Sequence, residues 1–310
     1  MSETLQFVTL DVFTDTPYQG NPLAIVLVPP KHEISDAKFQ TIAREFNLSE
    51  TVFMYLNEDE PGEQGAHHAS KELVWRIRIF MTDRELPFAG HPTIGTAVYA
   101  LTQLNNGNAT KARLHCPAGT IEVEFDAASQ TAKISIPHNV HLHTSTKYTA
   151  AEIRKMQPGL IDDAQLKAFD VFSPVAGMNF LNVELSSLEA LAAIAPTPLK
   201  PTLRLDDGWD HGFGATLFYV KTGDDQVRTR MIAGTLEDPA TGAASCGLGA
   251  MLALKDGSNE TTTLRITQGV EMGRSSNIGV TTTLSEDREN VQKVELFGTA
   301  VELMKGSLRV

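Results

Sequence analysis

The chain has 310 residues, 42% of them hydrophobic and 21% charged, which suits a globular protein with core enough for two domains. Its formal net charge of −12 argues against nucleic acid or an anionic membrane surface as a partner, since both repel an acidic protein, and no basic run of five or more residues offsets that charge. The longest apolar stretches, such as LAIVLV at 23–28, are too short to span a bilayer, and the opening MSETLQFVTL lacks the order of a secretory signal; with only Cys116 and Cys246 there is no disulfide framework, so a reducing cytoplasm is the expected location.

In chain order, LQFVTLDVF (5–13) alternates as a strand, TPYQGNP (16–22) is a turn cluster and LAIVLV is a buried strand. Ser35 caps a helix, DAKFQTIAREF, whose Phe39, Ile42, Ala43 and Phe46 share one face. ETVFMYL (50–56) is a strand, 57–72 a polar surface loop containing His67 and His68, and LVWRIRIFM (73–81) a strongly alternating strand. The turn ELPFAGHP leads into an apolar helix, TIGTAVYAL (93–101), followed by strands RLHC, TIEVEF and AKISIP. Residues 138–152 read as a linker into a helix. Strands VFSPV and FLNVEL follow, then a helix over 187–195 capped by Ser186 or Ser187. Strands ATLFYVKT and VRTRMIA precede the EDPATG turn and its helix; TLRITQ, NIGVTTTL and VQKVELFGTAVEL are the last strands.

ELPFAGHPTIG (85–95) lies over EDPATGAASCG (237–247) at an offset of 152, about half the chain. Glu85 then meets Glu237, Pro87 meets Pro239, Gly90 meets Gly242 and Gly95 meets Gly247. Arg113 meets Arg265, Ser35 meets Ser187, and Ile42-Ala43 meet Ile194-Ala195 in the same register. The chain is therefore expected to hold two similarly built halves, each with a strand–turn–apolar helix unit, the helix wrapped by a curled sheet.

Both turns place a glycine near the N-terminus of a buried helix, where free N–H groups and the helix dipole favour an anion. The alternative is that these glycines serve only tight turns and close packing. Ser245-Cys246 makes a poor nucleophile: no G-x-S-x-G elbow is present, and Cys246 falls a turn inside the helix, where a cysteine is usually apolar filler. His138, His141 and His143 cluster, but in a linker without HExxH or paired cysteines, so no metal is expected. Gly247-Leu-Gly249 sits inside a helix and lacks a third glycine, which excludes a nicotinamide-binding fingerprint. Glu50 opens an apolar strand. Desolvation there should raise its pKa above the usual value of about 4.3, which suits a group that takes up and returns a proton; the plainer reading is a strand-edge charge.

DVFTDTPYQGNPLAIVL (11–27), REFNLSETVF (44–53), RIRIFMTDRELPFAGHPTIGTA (76–97), EDPATGAASCG and ITQGVEMGR (266–274) occur together and in order. With them the sequence resembles the PhzF family of phenazine-biosynthesis-type isomerases along nearly its whole length. The resemblance implies an α+β, diaminopimelate-epimerase-like fold. Its two pseudo-symmetric halves would span 1–140, completed by about 298–310, and 145–297, with the site between them. It also implies a homodimer. Epimerases of this fold carry two cysteines at the two turns, whereas Ala89 and Pro239 stand there in this chain. Proton transfer therefore falls to Glu50, the family's catalytic carboxylate, with His91 and Asp238 as the other catalytic residues. Gly90, Thr241, Gly242 and Ala243 are the implied substrate-binding positions. In the family's best-known reaction, on trans-2,3-dihydro-3-hydroxyanthranilate, the glutamate takes a proton from C3 and returns it at another ring carbon, with no metal or other cofactor. A serine usual after DPATG is Ala243 here. The expected function is thus a cofactor-independent isomerase of a small carboxylated amino or hydroxy compound. A lyase using the same kind of intermediate, and a non-catalytic small-acid binder or interaction protein of the same fold, are the alternatives.

Overall fold

The computed structural model describes residues 4–30, 33–57, 73–145 and 147–310. The polar segment with His67 and His68 lies outside them, apart from Asn57. The chain divides into two compact units, 1–135 with 297–310, and 136–296.

The first unit contains β1 (Thr4–Val12), β2 (Asn21–Val28), α1 (Asp36–Phe46), β3 (Thr51–Tyr55), β4 (Val74–Phe80), β5 (Glu85–Leu86), α2 (Gly90–Tyr99), β6 (Lys111–Cys116), β7 (Gly119–Asp126) and β8 (Thr131–Ser135), and the C-terminal strand β18 (Ala300–Arg309). Strand β1 pairs antiparallel with β18 and β2, β2 runs parallel to β3, and β3 is antiparallel to β4. β4 then carries the short β5 and, parallel to it, β6, which continues into the antiparallel pairs β6–β7 and β7–β8. Helix α2 touches β18 and β1 at one end of this ladder and β8 at the other, so the sheet curls around it. Every residue from His91 to Tyr99 is buried. Gly95 lets the helix approach β1 and β2: a Cβ there would lie 2.6 Å from Leu23 and 2.7 Å from Val12. The other sheet face packs on α1 through Phe39, Ile42 and Ala43 against Val26, Phe53 and Phe80. Both faces being covered explains the unbroken apolar run of β2.

The second unit contains β9 (His141–His143), α3 (Ala150–Met156), β10 (Leu166–Val175), β11 (Met178–Leu185), α4 (Leu188–Ala192), β12 (Phe213–Lys221), β13 (Gln226–Ala233), β14 (Leu236–Asp238), α5 (Gly242–Asp256), β15 (Thr261–Gln268) and β16 (Ser276–Leu284), and the part of β17 (Val291–Gly298) up to Leu296. Its pairing repeats that of the first unit: β10–β11 antiparallel, β11–β12 parallel, β12–β13 and β13–β14 antiparallel, β13–β15 parallel, β15–β16 antiparallel. Helix α5 touches β10 and β11 on one side and β15 and β16 on the other. The register repeats too. Arg113 lies opposite Val74 and Arg265 opposite Gln226, both separated by the offset read in the sequence. Ser35 and Ser187 accept the amide protons of Lys38 and Ala190 as the N-caps of α1 and α4.

Three local readings change. The apolar helix starts at Gly90 rather than Thr93, because Pro92 falls in the first turn, where its missing N–H costs nothing; beyond Tyr99 it relaxes into a π-turn over Ala100–Leu104. The helix expected over 187–195 stops at Ala192, where the Arg230 guanidinium takes the carbonyls of Leu191, Ala192 and Ile194. The linker holds a strand: β9 pairs with β10.

Candidate functional site

Helix α1 ends at Asn47, whose left-handed backbone (φ 51°) turns the chain back toward the sheet. Three residues later Glu50 stands at the entry of β3, a strand flanked by β2 and β4 and buried from Thr51 to Met54. Its Oε2 lies 3.4 Å from Nδ1 of His91, in the first turn of α2, with the two side chains 16% and 5% exposed. Burial pushes the Glu50 pKa above the ordinary carboxylate range, opposed in part by a hydrogen bond from the Ser49 side chain. A carboxylate with an elevated proton affinity beside an imidazole can accept a proton and return it. Ala89 caps α2 in an extended conformation but has no side-chain acceptor, so Gly90 begins the helix with its N–H uncapped.

In the second unit β14 delivers Asp238 into the turn before α5, pairing it with Met231. The Thr241 hydroxyl donates to Asp238 Oδ2 at 2.7 Å. Gln268, fully buried at the end of β15, braces both: its Nε2 donates to Asp238 O (2.8 Å) and Thr241 Oγ1 (3.0 Å), and its Oε1 accepts the Thr241 N–H (3.3 Å). The next residue, Gly269 (φ 77°), touches the same turn so closely that a Cβ would lie 2.7 Å from Pro239 O. No side chain caps α5, and its first backbone bond is Ser245 N–H to Thr241 O. The N–H groups of Gly242, Ala243 and Ala244 precede that bond, an arrangement that favours an anion. Thr241 differs from these positions, since its hydroxyl and its amide are both engaged within the turn.

The first unit thus brings Glu50, His91 and Gly90 to the start of α2, and the second brings Asp238, Thr241, Gly242 and Ala243 to the start of α5. Cys246 is 4% exposed inside α5, and burial pushes its thiol far above the range of a reactive cysteine; burial also raises the Cys116 thiol. A cavity of about 340 Å³ beside Phe7, Phe46 and Leu308 includes none of these residues.

Of the three histidines in the former linker, His141 and His143 do meet, joined by Asp206, with one donor atom from each within 4.8 Å of the others. All three residues are already engaged in hydrogen bonds. His143 Nδ1 accepts the Asp206 N–H at 3.0 Å while its Nε2 meets the Ser173 hydroxyl at 2.8 Å. Asp206 meets His141 Nε2 at 2.8 Å and accepts from Thr144 and Ser145, whose hydroxyl and amide hold its carboxyl well below the usual range. Trp209 stacks on His141 at 4.6 Å. The cluster pins residues 206–209 to β9.

Sequence reasoning missed two features of the turns. Arg78 and Arg230, also 152 apart, each grip the glutamate of their own turn with two bonds: Arg78 to Glu85 at 2.7 and 2.6 Å, Arg230 to Glu237 at 2.7 and 2.8 Å. Both arginines were visible in the aligned strands, but an arginine in an alternating strand reads as solvent-facing. Gln268 gave no signal beyond its place in ITQGVEMGR.

The family model for phenazine biosynthesis-like proteins, PhzC-PhzF, matches residues 10–306. A Mesorhizobium japonicum protein named as an uncharacterized isomerase is 30% identical over 99% of each chain. The trans-2,3-dihydro-3-hydroxyanthranilate isomerase of Pseudomonas fluorescens is 29% identical over 97% of this chain and 98% of its own. Among solved structures, a PhzF-family protein of Bacillus anthracis superposes with a TM-score of 0.78 at 21% identity, over 99% of this chain and 100% of its own. The fold is the α+β, diaminopimelate-epimerase-like one, and a buried acid–imidazole pair at one repeated turn, with a braced aspartate at the other, sits within it. The chain belongs to the phenazine biosynthesis-like PhzC-PhzF family and is an enzyme of the isomerase type.

Proposed function

We propose that this protein is a cofactor-independent isomerase that moves a proton within a small carboxylated substrate bearing an amine or hydroxyl group. In this reading Glu50 removes a proton from carbon and returns it at another carbon. His91 holds that carboxylate and meets the substrate beside it. Asp238 accepts from the amine or hydroxyl, and the N–H groups of Gly90, Gly242 and Ala243 receive the substrate carboxylate. Thr241 serves by holding Asp238. An internal proton shift leaves the oxidation level of the substrate unchanged, so the chemistry calls for no redox group.

The observation that carries the proposal is the Glu50–His91 contact at 3.4 Å, with the carboxylate buried enough to raise its proton affinity. Relatives named as trans-2,3-dihydro-3-hydroxyanthranilate isomerases make that compound the first substrate to try. The test is proton NMR of reaction mixtures with it and with a panel of small amino and hydroxy acids, wild type beside Glu50→Gln. A product isomeric with its substrate, formed by the wild type and slowed about 10²–10⁴-fold in the variant, supports the proposal. A product that has lost water or ammonia makes the enzyme a lyase. Binding shifts without turnover of any compound favour the small-acid binder.

A further inference from the structure

The Asp238 turn carries a hydrogen-bond circuit whose direction is set by one buried amide. Oε1 of Gln268 accepts the Thr241 N–H and lies 3.4 Å from the Thr229 hydroxyl, on the neighbouring strand β13. Its Nε2 donates to Asp238 O and to Thr241 Oγ1. Turning the amide over would set its NH₂ against the Thr241 N–H and its oxygen against the Asp238 carbonyl, which a fully buried side chain does not tolerate. With Nε2 donating to Thr241 Oγ1, the single hydroxyl proton of Thr241 is left to Asp238 Oδ2. Asp238 therefore takes the acceptor role in that bond.

We propose that Gln268 is a positioning residue of the reaction site: it directs the Thr241 proton onto Asp238 and so holds that carboxylate in one orientation, as an acceptor for a donor group of the substrate, an ammonium or a hydroxyl. This rests on the reading above that Asp238 binds the substrate. The buried circuit is specific to the second unit. At the equivalent offset the first unit has Cys116 for Gln268, Ala89 for Thr241 and Leu86 for Asp238, none of which can form it.

The test compares Gln268→Glu, Thr241→Val, their double variant, Thr241→Ser and Asp238→Asn with wild type, by kcat and KM on whichever compound of the panel the wild type converts, and by crystal structures of the wild type and Gln268→Glu. Glu at 268 is nearly isosteric but offers only acceptors, so the Thr241 proton swings toward it and away from Asp238. Expected are a loss in kcat on the order of 10²-fold in Gln268→Glu and Thr241→Val, no further loss in the double variant because both act through the same proton, and activity within about threefold of wild type in Thr241→Ser, which keeps the hydroxyl. Losses that multiply in the double variant, or full activity in Gln268→Glu, overturn the positioning role. Full activity in Asp238→Asn overturns the underlying reading of Asp238 instead. Should no compound be converted, the crystal structures decide. An Asp238 carboxylate displaced from Thr241 in Gln268→Glu supports the proposal, and one left in place overturns it.

Discussion

At the scale of single residues the proposed chemistry turns on Glu50. Its folded pKa is raised by burial, so the native state binds a proton more tightly than the unfolded chain does. Stability from this group is then lost as pH rises from the ordinary carboxylate range through the raised folded value, and the cost persists above it. Glu50→Gln should therefore unfold at a higher temperature than wild type at pH 8 and at nearly the same temperature at pH 4; equal differences at both would contradict the assignment. As a base Glu50 acts ionised, so the acidic limb of kcat/KM should lie above the ordinary carboxylate range. In the proposed site Ala243 offers the substrate its N–H and no hydroxyl, so Ala243→Ser should raise turnover of trans-2,3-dihydro-3-hydroxyanthranilate, by up to about tenfold for one added hydrogen bond, and unchanged turnover would place that position outside the contact. The raised proton affinity of Glu50 was legible from an acid opening an apolar strand, but only the fold could set it beside His91, which lies 41 positions along the chain. Gln268 was illegible because a glutamine ending a strand looks like surface until the turn folded over it is seen.

At the scale of elements, the two arginine clamps hold the strand before each turn, and they differ in depth. Arg230 and Glu237 are 6% and 8% exposed, and Arg230 also ends α4. Arg78 is instead divided between Glu85, which is 29% exposed, and Asp36, at the start of α1, which is 80% exposed. Removing Arg230 strands a buried carboxylate, so Arg230→Met should cost about 3–5 kcal/mol in urea unfolding, whereas Arg78→Met should cost nearer 1 kcal/mol, as for an ion pair close to water. Equal losses would mean that depth does not govern these pairs. Strand patterns and capping serines were readable because they are local. The three-residue β9 and the early end of α4 were not, because each is imposed by a distant partner: Val171–Ser173 and Arg230.

At the scale of the whole molecule, the repeat is the feature the sequence announced most clearly, since one offset aligned turns, caps and strand register in both units. In the proposed mechanism the positions that differ within the repeat carry the chemistry: His91 aligns with Ala243 and Asp238 with Leu86, so each unit has a polar group where the other has none. The net charge of −12 opposes an anionic substrate at long range, and screening relieves it. For such a substrate kcat/KM should rise between about 10 mM and 150 mM salt; a fall would show that a local positive field governs capture. Proton transfer by Glu50 is tested most directly by the rate of product formation in D₂O and the deuterium content of that product, read by proton NMR for wild type and Glu50→Gln. Wild type should deliver a proton or deuteron to the new carbon, with that delivery slowed at least about 10²-fold in the variant. Delivery at an undiminished rate in Glu50→Gln would contradict it.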